Sequence, residues 1–216
     1  MMKNQRTVVA AFTALVLVVL LVPATHAQVG KSLGVIDANL ATEQQLVTFQ
    51  NITPAIAKAL IAKRPFGSIV DMNAFLLSQG LTQAQAMDVY PKAFVFVNLN
   101  TATKEEILLI PGAGNRMTIE FPEYRPWTTF AQFDRQISKY VGQEATDKLK
   151  QYVFIPVKLN TGTDDDILSI PGAGARMVRE FKEYRPWTSK AQFEKEIGKY
   201  VDAKEVARLW RFVIIQ

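Results

Sequence analysis

The pattern of apolar and polar positions divides the chain into one long apolar run and a series of short amphipathic segments. Val8 to Val22 is apolar throughout except for Thr13. Beyond it, apolar residues come in short clusters at helical spacing, separated by turn-forming residues. Thr103-Lys104-Glu105-Glu106 reads as a capping box: the threonine oxygen accepts from a first-turn N–H and the glutamate reaches back to the threonine amide. Thr42-Glu43-Gln44-Gln45 and Thr163-Asp164-Asp165-Asp166 repeat it. The boxes at Thr103 and Thr163 precede short apolar helices that stop at Pro111-Gly112 and Pro171-Gly172. A second helix is predicted just after Gly114 and Gly174, and a third from about Thr129 to Lys139. A fourth begins near Gln143, with Ala145, Leu149 and Tyr152 on one face. Phe94–Val97, Val153–Val157 and Phe212–Ile215 are apolar stretches that suit either short strands or extended connectors.

These segments recur. Leu99 to Ile110 and Leu159 to Ile170 align at an offset of 60, and so do the two Pro-Gly-Ala-Gly turns. Glu123-Tyr124-Arg125-Pro126-Trp127-Thr128 and Lys139-Tyr140-Val141 align with Glu183 to Thr188 and Lys199-Tyr200-Val201 at the same offset, with no gap. A diverged copy precedes them: Asn39-Leu40-Ala41-Thr42 aligns with Asn100–Thr103, and Arg64-Pro65-Phe66 with Arg125-Pro126-Trp127. The copies run over 35–96, 97–156 and 157–216, each with about four helices. The expected fold class is all-α, and neighbouring copies are expected to pack together because a 60-residue unit has only a small core.

The first residues stand apart. Lys3 and Arg6, the apolar run and the small residues at Ala24-Thr25-His26-Ala27 have the layout of a secretory signal peptide over 1–27, cleaved after Ala27. The run is about 15 residues, short of the roughly 20 a spanning helix needs, so an uncleaved anchor is the competing reading. A periplasmic or secreted location and no stable membrane insertion after cleavage are expected. The chain has no cysteine, hence no lipidation site or disulfide framework. Cleavage also removes the single histidine, His26. The commonest general base, the thiol nucleophile and the usual zinc ligands are then missing, so neither an enzyme nor a metal site is expected. A hydrolase using only Asp and Glu is the one enzymatic alternative left. The remaining 23 basic and 20 acidic side chains make the chain mildly basic. That permits nucleic-acid binding without arguing for it.

Leu109-Ile110-Pro111-Gly112-Ala113-Gly114, inside the stretch Asn100 through Arg125, carries a resemblance. It is similar to the helix-hairpin-helix domain of the ComEA competence proteins, and the likeness extends over all three copies. The resemblance implies three tandem double helix-hairpin-helix, SAM-like units joined by short extended connectors. It also implies sequence-independent binding of double-stranded DNA through backbone phosphates, as in DNA uptake. The physical basis is a tight glycine turn that feeds a helix N-terminus, where free N–H groups and the positive dipole end favour a phosphate. The implied DNA-binding residues are Gly112, Gly114 and Arg116, with Gly172, Gly174, Arg176 and Arg179; no cofactor is implied.

The copies depart from that pattern unequally. Ala113 and Ala173 stand where the family has a large aliphatic residue. Gln50-Asn51-Ile52-Thr53 replaces the glycine turn in the first copy, Pro122 sits where a kinked or shortened helix is expected, and Asp202 replaces Gly142 at the second hairpin. Residues 98–157 carry seven basic and seven acidic side chains, 158–216 eleven and nine. The third copy, with Arg176, Arg179, Lys182, Arg185, Lys190, Lys195, Lys199, Lys204, Arg208 and Arg211, is therefore expected to be the principal DNA contact. Trp127 and Trp187 are expected in the core, and Arg125 and Arg185 near a helix end, held by the dipole and an aromatic face. Asp164, Asp165 and Asp166 are expected to complement a helix dipole; consecutive helical positions diverge by about 100° and do not converge on a metal. The alternative class is a structural or interaction scaffold in an envelope protein complex, with the hairpins serving as turns only.

Overall fold

The computed structural model describes residues 34–216; the signal peptide expected over 1–27 lies outside them. The described chain is mostly helical. Its first repeat runs through β1 (Ile36–Asp37), α1 (Glu43–Leu46), α2 (Pro54–Lys63), α3 (Ile69–Ser78), α4 (Gln83–Val89) and β2 (Ala93–Phe94). The second runs through β3 (Val97–Asn98), α5 (Lys104–Leu108), α6 (Gly114–Glu123), α7 (Phe130–Lys150) and β4 (Val153–Phe154). The third runs through β5 (Val157–Lys158), α8 (Asp164–Leu168), α9 (Ala175–Glu183), α10 (Lys190–Ile197), α11 (Ala203–Trp210) and β6 (Val213–Ile214). Gly142, at φ +76°, breaks α7 into two helices, so each repeat has four. No helix among the described residues is long and apolar enough to cross a membrane.

The apolar connectors resolve as strands. β1 pairs with β2, β3 with β4 and β5 with β6, each pair parallel, in the registers Ile36↔Ala93, Val97↔Val153 and Val157↔Val213. The first and last residues of each repeat therefore lie side by side, with the four helices as the crossover between them. Two residues separate β2 from β3 and β4 from β5, so one repeat leads directly into the next.

The three expected capping boxes form: Thr42, Thr103 and Thr163 each accept from the third helical amide, and that residue's side chain returns to the threonine N–H. An asparagine at the start of each repeat supplies a second recurrent tie. Asn100 Nδ2 donates to the Trp127 carbonyl at 2.9 Å, and the Trp127 amide donates to Asn100 Oδ1 at 2.6 Å. Asn160 does the same for Trp187 and Asn39 for Phe66. One short side chain thus acts as a strand-like partner for backbone 27 residues away, and fixes the aromatic residue that follows Arg-Pro.

That aromatic residue fills the core. Trp127 is 1% exposed and packs against Tyr124 and Phe133, while its Nε1–H donates to the Phe121 carbonyl at 2.8 Å. Trp187 repeats the arrangement with Phe193 and the Phe181 carbonyl. Burying the ring is favourable only because the indole N–H keeps a partner. Arg125 and Arg185 depart from the dipole-and-stacking expectation. Arg125 donates to the carbonyls of Leu99 at 2.8 Å and Ala102 at 2.6 Å, and Arg185 to those of Leu159 and Gly162. A guanidinium fork satisfies backbone acceptors that a loop beside the core leaves open. Pro122 does not shorten its helix: α6 ends at Glu123 and α9 at the aligned Glu183. The proline removes one amide bond within the last turn, where little helix remains to be disrupted.

Neighbouring repeats meet through the strand ends. Phe94 packs on Tyr152 with ring centroids 5.1 Å apart, and Phe154 on Phe212 at 4.6 Å. These contacts are equivalent, each displaced by 60 residues. The first and third repeats also touch directly. Arg208 on α11 pairs with Asp37 on β1 at 3.3 Å, the two side chains 2% and 1% exposed, and Arg211 Nη2 donates to the Phe96 carbonyl at 2.9 Å. The three repeats therefore close around a shared interior instead of extending in a line.

Candidate nucleic-acid interface

The glycine turns and the helices they feed form the candidate site. Gly112 and Gly172 have φ +81° and +77°, a conformation side chains hinder. Asn51 occupies the aligned place in the first repeat at φ +69°. The turn geometry therefore persists there without glycine, because a short amide side chain tolerates the left-handed region. What changes is the helix that follows. Thr53 caps α2, accepting from the Ile56 amide, with Pro54 at its first position. By contrast α6 and α9 begin with no side-chain cap, as does the second half of α7 after Gly142, while the other described helices start at a Thr, Ser or Asp that accepts a first-turn N–H. Their first-turn amides are left for solvent or a ligand.

Arg116 and Arg176 lie on those first turns and are exposed. Arg116 Nε donates to Glu120 at 2.6 Å, and its guanidinium lies over the Tyr140 ring, 4.4 Å from the centroid. Arg176 lies over Tyr200 at 4.8 Å. Beneath each arginine, two tyrosines join hydroxyl to hydroxyl, Tyr124 to Tyr140 at 2.7 Å and Tyr184 to Tyr200 at 2.8 Å. Glu120 and Glu180 are 3% and 2% exposed, and each has a buried Oε2 without a partner. Arg179 donates to the other oxygen of Glu180 through Nη2 at 2.8 Å. Hydrogen bonds from Tyr200 and Arg179 hold the Glu180 carboxyl below its usual range. Bonding to Tyr124 pushes the Tyr140 phenol up to about 12, and Tyr200 is raised for the same reason by Tyr184. None of these tyrosine and glutamate roles follows from a linear motif. The tyrosine pairs join residues 16 apart, and the glutamates lie on a helix face that periodicity alone assigns to the core.

The third repeat is less open than its charge suggests. A Cβ added to Gly172 would meet Leu40 Cδ1 of the first repeat at 2.9 Å and Arg208 Nη2 at 3.2 Å, whereas Gly112 and Gly114 have nothing within 4 Å. Three of the ten basic residues expected on its face are committed inside the molecule. Arg208 pairs with Asp37, Arg211 reaches the Phe96 carbonyl, and Arg185 binds its own repeat's carbonyls. Lys182 pairs with Asp164 at 2.6 Å, Lys190 with Glu194 at 3.2 Å, and Lys195 and Lys199 both pair with Glu196. Of the cations on which this repeat was expected to be the principal contact, Arg185, Arg208 and Arg211 are thus committed inside the molecule, and Lys182, Lys190, Lys195 and Lys199 pair with neighbouring acids. The least obstructed turn with an arginine belongs to the second repeat. Asp202 does not face an open hairpin either; it caps α11, accepting from the Glu205 amide at 2.8 Å.

Asp166 serves as the returning arm of its capping box, and Asp164 holds Lys182. Among the described residues no cluster of His, Cys, Asp and Glu is placed to hold a metal ion. Comparison of the chain with models of protein families, with characterised proteins and with solved structures finds no match.

Proposed function

We propose that this chain is an exported, ComEA-like protein of three tandem helix-hairpin-helix units that binds double-stranded DNA through backbone phosphates, without sequence preference, in DNA uptake. The single observation that carries this reading is the uncapped start of α6 behind an open Gly112–Gly114 turn, with exposed Arg116 on its first turn. Free first-turn amides and a cation within reach of a neighbouring phosphate are the two parts of a phosphate cradle. The second repeat is the main contact in this reading, with Gly114 and Gly112 shaping the turn. Gly172, Gly174, Arg176 and Arg179 of the third repeat form a second, partly covered cradle. The first repeat, capped by Thr53, contributes structure only.

The test is a titration of the mature chain against labelled duplex at two salt concentrations. Binding is expected to weaken steeply with salt. Arg116→Ala with Arg176→Ala is expected to lower the slope of log K against log salt by about 1 for each phosphate no longer neutralised. Absence of binding by micromolar protein at low salt refutes the reading.

A scaffold in an envelope complex is the second reading. It is favoured by the buried Asp37–Arg208 pair and by Leu40 lying against Gly172, which commit one of the third repeat's cations and one of its turns to internal packing. Co-purification of a defined partner from envelope extracts by a chain that ignores duplex DNA supports it.

A further inference from the structure

We infer that Tyr140 and Tyr200, backed by Tyr124 with Glu120 and Tyr184 with Glu180, are positioning residues that hold Arg116 and Arg176 in a fixed pose for phosphate; the inference rests on the DNA-binding reading above. The stack of an arginine on a hydroxyl-paired tyrosine appears twice. In the second repeat the guanidinium of Arg116 stacks 4.4 Å above the Tyr140 ring and is tied to buried Glu120. In the third, Arg176 stacks 4.8 Å above Tyr200, and buried Glu180 is held by Arg179 instead, through Nη2 at 2.8 Å. In both, a second tyrosine, from the end of the preceding helix, grips the stacking tyrosine through its hydroxyl. The first repeat, whose following helix is capped by Thr53, has none of the set: Ala55, Ala59, Lys63 and Gln79 stand at the positions of Arg116, Glu120, Tyr124 and Tyr140. Arginine, glutamate and both tyrosines are present or absent together, and their presence coincides with the uncapped helix start.

The chemistry explains the grouping. An exposed arginine on a flexible stem loses rotamer freedom when it grips a phosphate. Stacking on a ring, joined at Arg116 by the bond from Nε to Glu120, fixes the stem beforehand and leaves the planar fork on the surface. The Arg116 side chain remains 58% exposed despite both contacts. A buried glutamate with one unpartnered oxygen is unfavourable for folding by itself, and this cost recurs only where an arginine lies above it.

The experiment compares duplex binding and its salt slope for the mature chain, Tyr140→Leu/Tyr200→Leu, Tyr140→Phe/Tyr200→Phe and Arg116→Lys/Arg176→Lys, with thermal melts showing that each folds. Removing each stacking ring is expected to weaken binding roughly two- to fivefold, hence about tenfold for the double leucine variant, with a shallower salt slope. The phenylalanine variant keeps the ring but loses the hydroxyl gripped by Tyr124 or Tyr184, and is expected to fall between the unaltered chain and the leucine variant. The lysine variant keeps the charge but lacks the planar fork, and is expected to fall with the leucine variant. In the free protein, NMR of the arginine Nε–H groups is expected to show slow exchange at Arg116, abolished in Tyr140→Leu. If the unaltered chain binds and the leucine or lysine variants bind as well as it does, the positioning inference is overturned and the DNA reading stands. If the unaltered chain does not bind, both fall, and the NMR arm shows whether the arginine was held at all.

Discussion

Removing the carboxylate of Asp37 tests the closure of the first repeat on the third. Asp37 and Arg208 are 171 residues apart in sequence, 1% and 2% exposed, and 3.3 Å from one another. Deleting one member of a buried ion pair leaves the other charged in a low-dielectric interior, which costs about 3–5 kcal/mol. Here Arg208 keeps two bonds of 2.7 Å to Glu205, which is 28% exposed and so remains a solvated partner. Asp37→Ala is therefore placed at the low end, about 3 kcal/mol. Loss of the bond that Asp37 Oδ1 accepts from the Asn39 amide at 2.9 Å adds about 1 kcal/mol. For a domain of this size the combined destabilisation of about 4 kcal/mol corresponds to a Tm lower by roughly 8–16 °C. Burial raises the Asp37 carboxyl above its usual range in spite of Arg208, so the pair itself gives little net stabilisation. Replacing both members, Asp37→Val with Arg208→Met, is thus expected to restore most of the stability. Urea denaturation of the unaltered chain, the two single variants and the double variant gives the coupling directly. A single-variant loss below about 1 kcal/mol, or a double variant no more stable than the sum of the singles, refutes the argument.

Gly112→Ala is expected to cost about 1 kcal/mol, from the positive φ alone, whereas Gly172→Ala must also displace Leu40 and is expected to cost more; equal losses in urea melts would show that the first repeat does not press on that turn. Asn100→Ala removes both bonds to the Trp127 backbone and is expected to destabilise by about 1–3 kcal/mol, with a shift in tryptophan fluorescence. On alkaline titration the phenols of Tyr140 and Tyr200, held by their hydroxyl partners, and of Tyr90 and Tyr152, held by burial, are expected to ionise late. A phenol whose folded pKa is raised contributes stability that is present below the unfolded value of about 10 and is lost as pH rises through the folded value, about 12 for Tyr140. Absorbance at tyrosinate wavelengths and circular dichroism should therefore change together in that window. On the acid side, Glu144, Glu180 and Glu196 are held below their usual range, chiefly by Lys148, Tyr200 and Lys199 respectively. The stability they give is present above about 4.3 and lost as pH falls through their folded values. An acid melt with no stability change below about pH 4 would contradict those bonds.

Much of the local structure was legible in the sequence because it rests on contacts within a few residues. The capping boxes at Thr42, Thr103 and Thr163 involve groups three positions apart, and the positive φ at Gly112 and Gly172 follows from the residue type and the turn. The burial of Trp127 and Trp187 could be expected from large aromatic rings placed just after a helix end. The strand pairing was only half legible: the apolar stretches were visible, but whether an extended segment becomes a strand depends on its partner, here 57 residues away for Ile36 and Ala93.

The candidate site divides along the same line. The sequence by itself determined the three repeats, their helices, the two glycine turns and the arginines beside them, because each is a matter of spacing and of local hydrogen bonding. Only the tertiary structure decided which of those parts stay available. Charge counted along the chain favoured the third repeat, but Arg208 and Arg211 are drawn inward by Asp37 and the Phe96 carbonyl, and Leu40 lies against Gly172. Likewise, the tyrosines beneath Arg116 and Arg176 are neighbours in space and not in sequence. A net charge adds up every ionisable side chain wherever it lies, whereas recognition uses those that remain at the surface in a fixed pose, and burial and pose are properties of the packed chain.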